Sequence, residues 1–137
     1  MYIILASNSP RRTEILTLAN IPHIVIPSSV EEVVKEGLTP PEIVMDLSYQ
    51  KAFDVFTNHK EDLVIGSDTI VVVDNTILGK PKDKEDAVRM LSMLSGKTHE
   101  VITGVSIIYK EEVIKFYDIS LVTFYDMSLS EIEEYIS

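Results

Sequence analysis

Two serines and two arginines crowd the stretch ASNSPRR, residues 6–12, directly after a short apolar run. Ser9 suits a helix N-cap and Pro10 the first helical position. Ser7, Ser9, Arg11 and Arg12 therefore fall between the end of a strand and the start of a helix. A helix start offers unpaired N–H groups and the positive end of the helix dipole, and arginine adds bidentate recognition of phosphate. Basic residues in a first turn oppose the dipole, at a cost of roughly a few tenths of a kcal/mol, unless an anion is present. Taken alone, the segment is an anion cradle or a pair of solvated arginines on a capped helix.

A carboxylate and two lysines could complete such a site. GSDT, residues 66–69, sets Asp68 behind the apolar run LVI. At a strand end or bulge in apolar surroundings, Asp68 would need a metal ion or a cationic partner. Alone, the segment favours the reading as a turn residue. GKP, residues 79–81, puts Lys80 in a loop, where an ammonium can meet a phosphate as a point charge. Lys51 lies on a long helix near its inward positions, where it could also simply snorkel. SGKT, residues 95–98, imitates the end of a phosphate-binding P-loop. That motif needs glycine where Leu91 stands and a strand where a helix is expected, so it is excluded. His23, His59 and His99 are scattered without metal-ligand spacing and read as structural or surface residues; a G-x-S-x-G nucleophile motif is absent.

The elements that must carry these groups follow from periodicity and punctuation. Tyr2–Leu5 predicts a buried strand, and a helix from Pro10 to about Ala19 should bury Ile15, Leu16 and Ala19 before Asn20 and Pro22 end it. Residues 23–26 predict a second strand and 27–38 an acidic loop. Thr39 and Glu42 flank two prolines in a capping-box pattern that opens a helix to about Asn58, with Ile43, Val44, Leu47 and Phe56 on its apolar face. Asp74-Asn75 predicts the turn of a hairpin between Thr69–Val73 and Thr76–Leu78. Asp83 caps a helix whose inner residues are Ala87, Met90, Leu91 and Leu94, with Gly96 as its C-terminal glycine. Two long strands, about Val101–Tyr109 and Val113–Phe124, precede a last capping box, Ser128 to Glu131. The order β-α-β-α-β-β-α-β-β-α predicts an α/β domain with a mixed sheet and flanking helices.

The 137 residues suffice for one domain with a single core. Twelve basic against 22 acidic side chains give a net charge of −10. Such a surface repels nucleic acid and anionic membranes, so a polyanion must be met by a concentrated local basic site. Without cysteine there is no disulfide or thiolate metal site. No signal peptide or membrane-length apolar run is evident, and the expectation is a soluble cytoplasmic protein with no nucleic-acid or membrane partner.

Together, ASNSPRR, GSDT, LGKP and LSGKTHEVITGV, in this order and at these distances, resemble the Maf family of nucleoside triphosphate pyrophosphatases, historically called septum-formation inhibitors. The resemblance covers the chain from Leu5 to about Ile136. It implies the architecture of the inosine triphosphate pyrophosphatases (Maf/Ham1), with a cleft between two lobes. It also implies hydrolysis of a nucleotide to monophosphate and pyrophosphate with Mg²⁺ or Mn²⁺. The S-P-R-R block with its D-T pair is similar to the branch acting on dTTP and UTP. Asp68 then matches the catalytic proton acceptor and a metal ligand, and Glu31 a second acidic residue near the metal. Arg11, Lys51 and Lys80 match the phosphate-holding cations, Ser7 the serine of the opening block, and Arg12 and Thr69 positions linked to substrate choice.

Family members run on for roughly fifty further residues, within ordinary domain size. The block resembling E-P-x-D-K-A-G-x-Y-x-I-Q-G, with a lysine and a glutamine linked to base selection, is absent here. Residues 1–137 are thus expected to form one family domain that is incomplete at its C-terminus. An uncovered sheet edge would favour a homodimer or weak solubility. Two rival readings are a nucleotide-binding remnant without turnover and an interaction protein of cell division.

Overall fold

The computed structural model describes residues 1–79 and 81–136. In chain order the elements are β1 (Ile3–Leu5), α1 (Pro10–Leu18), β2 (Ile24–Val25), α2 (Pro40–Phe56), β3 (Leu63–Val73), β4 (Thr76–Leu78), α3 (Lys84–Leu94), β5 (Thr98–Tyr109), β6 (Glu112–Thr123) and α4 (Leu129–Ile136). This is the expected order. The strands form one sheet in the sequence β2-β1-β3-β5-β6, with β4 paired to β3. β1 runs parallel to β2 and β3, whereas β3 and β4 are antiparallel, so the sheet is mixed. No described helix is long and apolar enough to cross a membrane.

The chain divides into two compact units, Met1–Thr69 with Thr103–Asp118, and Ile70–Ile102 with Ile119–Ser137. In the first, Ile4 and Ala6 of the β1 region, Ala52 and Val55 of α2, Val64 of β3 and Ile108 of β5 form the core. α2 begins as the sequence dictates. The Thr39 hydroxyl accepts from the Glu42 N–H while the Glu42 carboxylate accepts from the Thr39 N–H at 3.0 Å, closing the capping box. Ile43, Val44 and Leu47 are buried, and Phe56 packs partly buried against the core.

α1 departs from expectation. Ser9 caps it, and Asn20 follows it at φ +57°, but it buries no residue. Ile15 is 59% exposed and Leu18 83%; Leu16 is half-buried and Ala19 exposed. Periodicity marks which face of a helix is apolar, not whether another layer exists to cover it. α1 is held by its N-terminal end instead.

In the second unit, Val73, Leu78 and Leu94 form a smaller core with Met90, Leu91 and Phe124. Asp74 and Asn75 both have positive φ, +49° and +61°, as the tight turn between β3 and β4 requires. Asp83 caps α3, accepting from the Asp86 N–H at 2.8 Å, and Gly96 follows its C-cap at φ +66°. The P-loop lookalike at 95–98 is therefore a helix end and a strand start. His99 is buried edge-on to the Phe124 ring, with centroids 5.0 Å apart. The capping box at Ser128 and Glu131 forms in both directions at 3.2 Å.

Candidate active site

The candidate groups of the first unit meet where α2 crosses β3 and β5, and two glycines permit the crossing. A Cβ on Gly66 would lie 2.8 Å from the Ala52 nitrogen and closer still to the Ser48 carbonyl. A Cβ on Gly104 would collide with the backbone of Val44 and Met45. The helix backbone thus rests directly on the sheet. The Ser48 and Ser106 hydroxyls, 2.7 Å apart, satisfy each other beneath it. This close approach brings Lys51, beside fully buried Ala52, over Asp68, two residues beyond Gly66.

Asp68 lies in the middle of β3, 8% exposed. The expectation of a strand end or bulge in apolar surroundings is corrected: its neighbours are polar and charged. The Lys51 ammonium donates to Asp68 Oδ1 at 2.7 Å, to Glu32 Oε1 at 2.9 Å and to the Ser67 carbonyl at 3.4 Å. An ammonium has three donors, and all three are engaged. Burial raises the Asp68 pKa, and Glu32 adds to the rise. Lys51, by hydrogen bond and charge, and Arg12, by charge, oppose it.

Glu32 reaches Lys51 because α2 holds the acidic loop on both sides of it. Asp54 Oδ2 accepts from the Ser28 hydroxyl at 2.9 Å and the Ser29 N–H at 3.1 Å. The Gln50 amide exchanges two hydrogen bonds with the Val33 backbone, at 3.1 and 2.9 Å. Glu31, its neighbour, is exposed, and among the described residues its carboxylate has no ion-pair or hydrogen-bond partner.

The second cation is Arg12. Its Nη1 donates to the Ser7 hydroxyl at 3.1 Å and the Ser67 carbonyl at 3.0 Å, and its Nη2 to the Thr69 hydroxyl at 3.2 Å. Arg12 and Lys51 therefore converge on one carbonyl oxygen, that of Ser67. Burial lowers the Arg12 pKa, against the opposing charges of Asp68 and Glu32. Ser7 is buried, and its Oγ also accepts from the Ser9 N–H at 3.1 Å, which ties the turn into α1. Arg11 is exposed. Lys80 lies outside the described residues.

Ser7, Arg12, Lys51, Asp68 and Thr69 are thus brought together, while Glu31 and Arg11 stand apart from this hydrogen-bonded group. Four participants escaped the sequence reading. Glu32 and Glu31 differ only in the way the loop turns. Gln50 and Asp54 look like ordinary polar residues of an exposed helix face. Thr103 enters through the neighbouring strand, its hydroxyl 3.0 Å from that of Thr69.

Among the described residues, no group of three or more His, Cys, Asp or Glu is placed to hold a metal ion. Asp68 and Glu32 nevertheless aim at one point, filled by the Lys51 ammonium. Mg²⁺ is commonly bound by one or two carboxylates, with waters and substrate phosphates supplying the rest. Two hard oxygen donors fit an ion that brings further oxygen ligands with it.

Comparison with known proteins places the chain. Residues 2–137 match the family described as Maf-like protein. A Bacillus cytotoxicus protein named dTTP/UTP pyrophosphatase is 52% identical over 134 residues, covering 98% of this chain and 70% of its own length. A protein of the same name from Bacillus mycoides is 50% identical over 135 residues, covering 98% and 71%. The solved structure of the Staphylococcus aureus Ham1 protein superposes with a TM-score of 0.57 over 87% of this chain and 69% of that one. At 17% identity it shows a shared fold and nothing of the chemistry, and the expected inosine-triphosphatase-like architecture is borne out. By the match over nearly its whole length, the chain belongs to the Maf family.

Proposed function

We propose that this chain hydrolyses dTTP or UTP to the nucleoside monophosphate and pyrophosphate. One observation carries the reading: a buried carboxylate of raised pKa, Asp68, stands beside two cations that share the Ser67 carbonyl. The names of the Bacillus relatives support the substrate.

Water attacks the α-phosphorus, and its proton passes to the Asp68 carboxylate. The bond from the α-phosphorus to the bridging oxygen breaks, and pyrophosphate leaves with the electron pair. Burial makes Asp68 a stronger base than an exposed aspartate. Arg12 keeps its charge and has two of its five N–H donors without a partner among the described residues, so it can take a phosphate oxygen. Lys51 favours the ionised form of Asp68, and on exchanging Glu32 for a phosphate it would stabilise the leaving group. The family resemblance gives Arg11 and Lys80 phosphate-holding roles as well, and Ser7 and Thr69 stand beside Arg12. A bound Mg²⁺ or Mn²⁺ would neutralise phosphate charge, held by Asp68 and the loop carboxylates Glu31 and Glu32. The reading treats residues 1–137 as one domain and includes pairing of two copies along β6.

The test is product analysis with dTTP and UTP in the presence of Mg²⁺ or Mn²⁺, measuring pyrophosphate separately from phosphate. Pyrophosphate and monophosphate in equal amounts are expected, lost in Asp68→Asn while nucleotide binding is partly retained. Turnover that survives Asp68→Asn would overturn the assignment of the base.

A further inference from the structure

The block LSGKTHEVITGV supplies no residue to the reaction proposed above, yet Thr103 within it touches the site. The Thr69 hydroxyl accepts from Arg12 Nη2 at 3.2 Å and lies 3.0 Å from the Thr103 hydroxyl. Arginine can only donate, so it uses one lone pair of Thr69. The remaining capacity of Thr69 is one proton and one lone pair, and Thr103 engages one of them. The chain of contacts runs from β5 through β3 to the guanidinium at the start of α1.

Arg12 needs such support. α1 buries no side chain, so its N-terminal end is located on the sheet largely by the hydrogen bonds of Arg12 and Ser7. Thr69 is exposed and Thr103 half-buried, so both hydroxyls lie within reach of a ligand. A cross-strand threonine pair can also stabilise a sheet without any other role. This pair differs in ending on a guanidinium that has two donors without a partner among the described residues.

We propose that Thr103 is a positioning residue for the nucleotide. Its hydroxyl fixes the rotamer of Thr69, and through Thr69 the plane of the Arg12 guanidinium that receives a triphosphate oxygen. The inference rests on the nucleotide reading of the site.

The experiment compares wild type, Thr103→Val, Thr103→Ser, Thr69→Val and the Thr69→Val/Thr103→Val pair. The probe is the α,β-methylene analogue of UTP, which cannot be hydrolysed at the relevant bond, and its binding is followed by calorimetry. Pyrophosphate release from UTP and thermal melting are recorded in parallel. Valine keeps the β-branched shape and removes only the hydroxyl. The expected result is a loss of analogue affinity of about fivefold in Thr103→Val, the scale of one hydrogen bond. Affinity should return to within about twofold in Thr103→Ser, and Thr103→Val should add nothing once Thr69 is valine. KM should rise while kcat holds.

Wild-type affinity in Thr103→Val, with or without a lower melting temperature, would overturn the proposal and leave a sheet-stabilising pair. So would a serine variant that fails to restore binding, or effects that multiply in the double variant. If Thr103→Val does not fold, Thr103→Ala is measured in its place. A wild type that binds the analogue but releases no pyrophosphate removes the hydrolytic reading alone. A wild type that binds no nucleotide overturns the role of Thr103.

Discussion

The Lys51 ammonium donates to Asp68 Oδ1 at 2.7 Å, across 17 residues of sequence, and the same ammonium meets Glu32 at 2.9 Å. Burial raises the pKa of Asp68, and this cation between two carboxylates adds opposing effects. Lys51 stabilises its ionised form, while Glu32, a like charge, destabilises it.

The pH dependence follows with a definite sign. Asp68 acts as a base only when ionised, and burial raises its pKa, so kcat/KM should fall on acidification at a higher pH than an exposed aspartate would give. Lys51→Met removes the opposing hydrogen bond and charge, so the acid limb should move to higher pH. Glu32→Gln removes the like charge and should move it to lower pH. Profiles of kcat/KM for the three proteins check this, and shifts in the same direction would refute it. For folding, a raised carboxylate pKa contributes stability below its unfolded value, lost as pH rises through the folded one. Asp68 therefore opposes the fold under the conditions in which it can act as a base.

What the sequence revealed of this site was its local half. Ser9, Thr39 and Asp83 were legible as caps because a cap is a relation between residues three apart. The turn at Asp74-Asn75 was legible because positive φ selects asparagine and aspartate. Asp68 was legible as a charge needing a partner, but not as a mid-strand residue, since GSDT carries the composition of a turn. The polar setting of Asp68 and the preference of Lys51 for Glu32 depend on how α2 lies on the sheet and how the loop is clamped to it. Those are relations between distant segments. Likewise, no local pattern could reveal that Ile15 and Leu18 stay exposed among the described residues.

The crossing of α2 over β3 makes Gly66 a stringent position. Gly66→Ala would drive a methyl group into the Ser48 carbonyl and Ala52, so α2 must lift. A stability loss of about 1–3 kcal/mol is expected, typical of overpacking. Activity should fall with it, because the Lys51–Asp68 contact rides on the same approach. Gly79 has no atom within 4 Å of its would-be Cβ, and Gly79→Ala should change stability by less than about 0.5 kcal/mol. Denaturant unfolding of the two variants checks the contrast.

Arg12 and Arg11 should separate sharply despite being neighbours. Arg12→Lys keeps the charge but cannot span Ser7, Ser67 and Thr69 from one planar fork. It should lose about 1–3 kcal/mol of stability, through hydrogen bonds from a charged donor, and raise KM. Arg11→Lys, at an exposed position, should leave stability within about 0.5 kcal/mol. Melting curves and saturation kinetics on both variants test the difference, and equal effects would show that the latch is not at Arg12.

The edge strand β6 supplies the last expectation. It ends the sheet order, and its residues are exposed except for half-buried Val122, including Ile114, Phe116 at 48% and Leu121 at 71%. An edge of this length presents unpaired backbone groups together with apolar side chains, the combination that pairs with a second strand. Self-association through β6 should therefore increase with concentration in sedimentation. Phe116→Lys places a charge where two copies would meet and should shift the equilibrium towards monomer, since charge on an edge strand opposes pairing. A wild type that remains monomeric across the concentration range, or a Phe116→Lys variant that associates equally well, would remove β6 as the meeting surface.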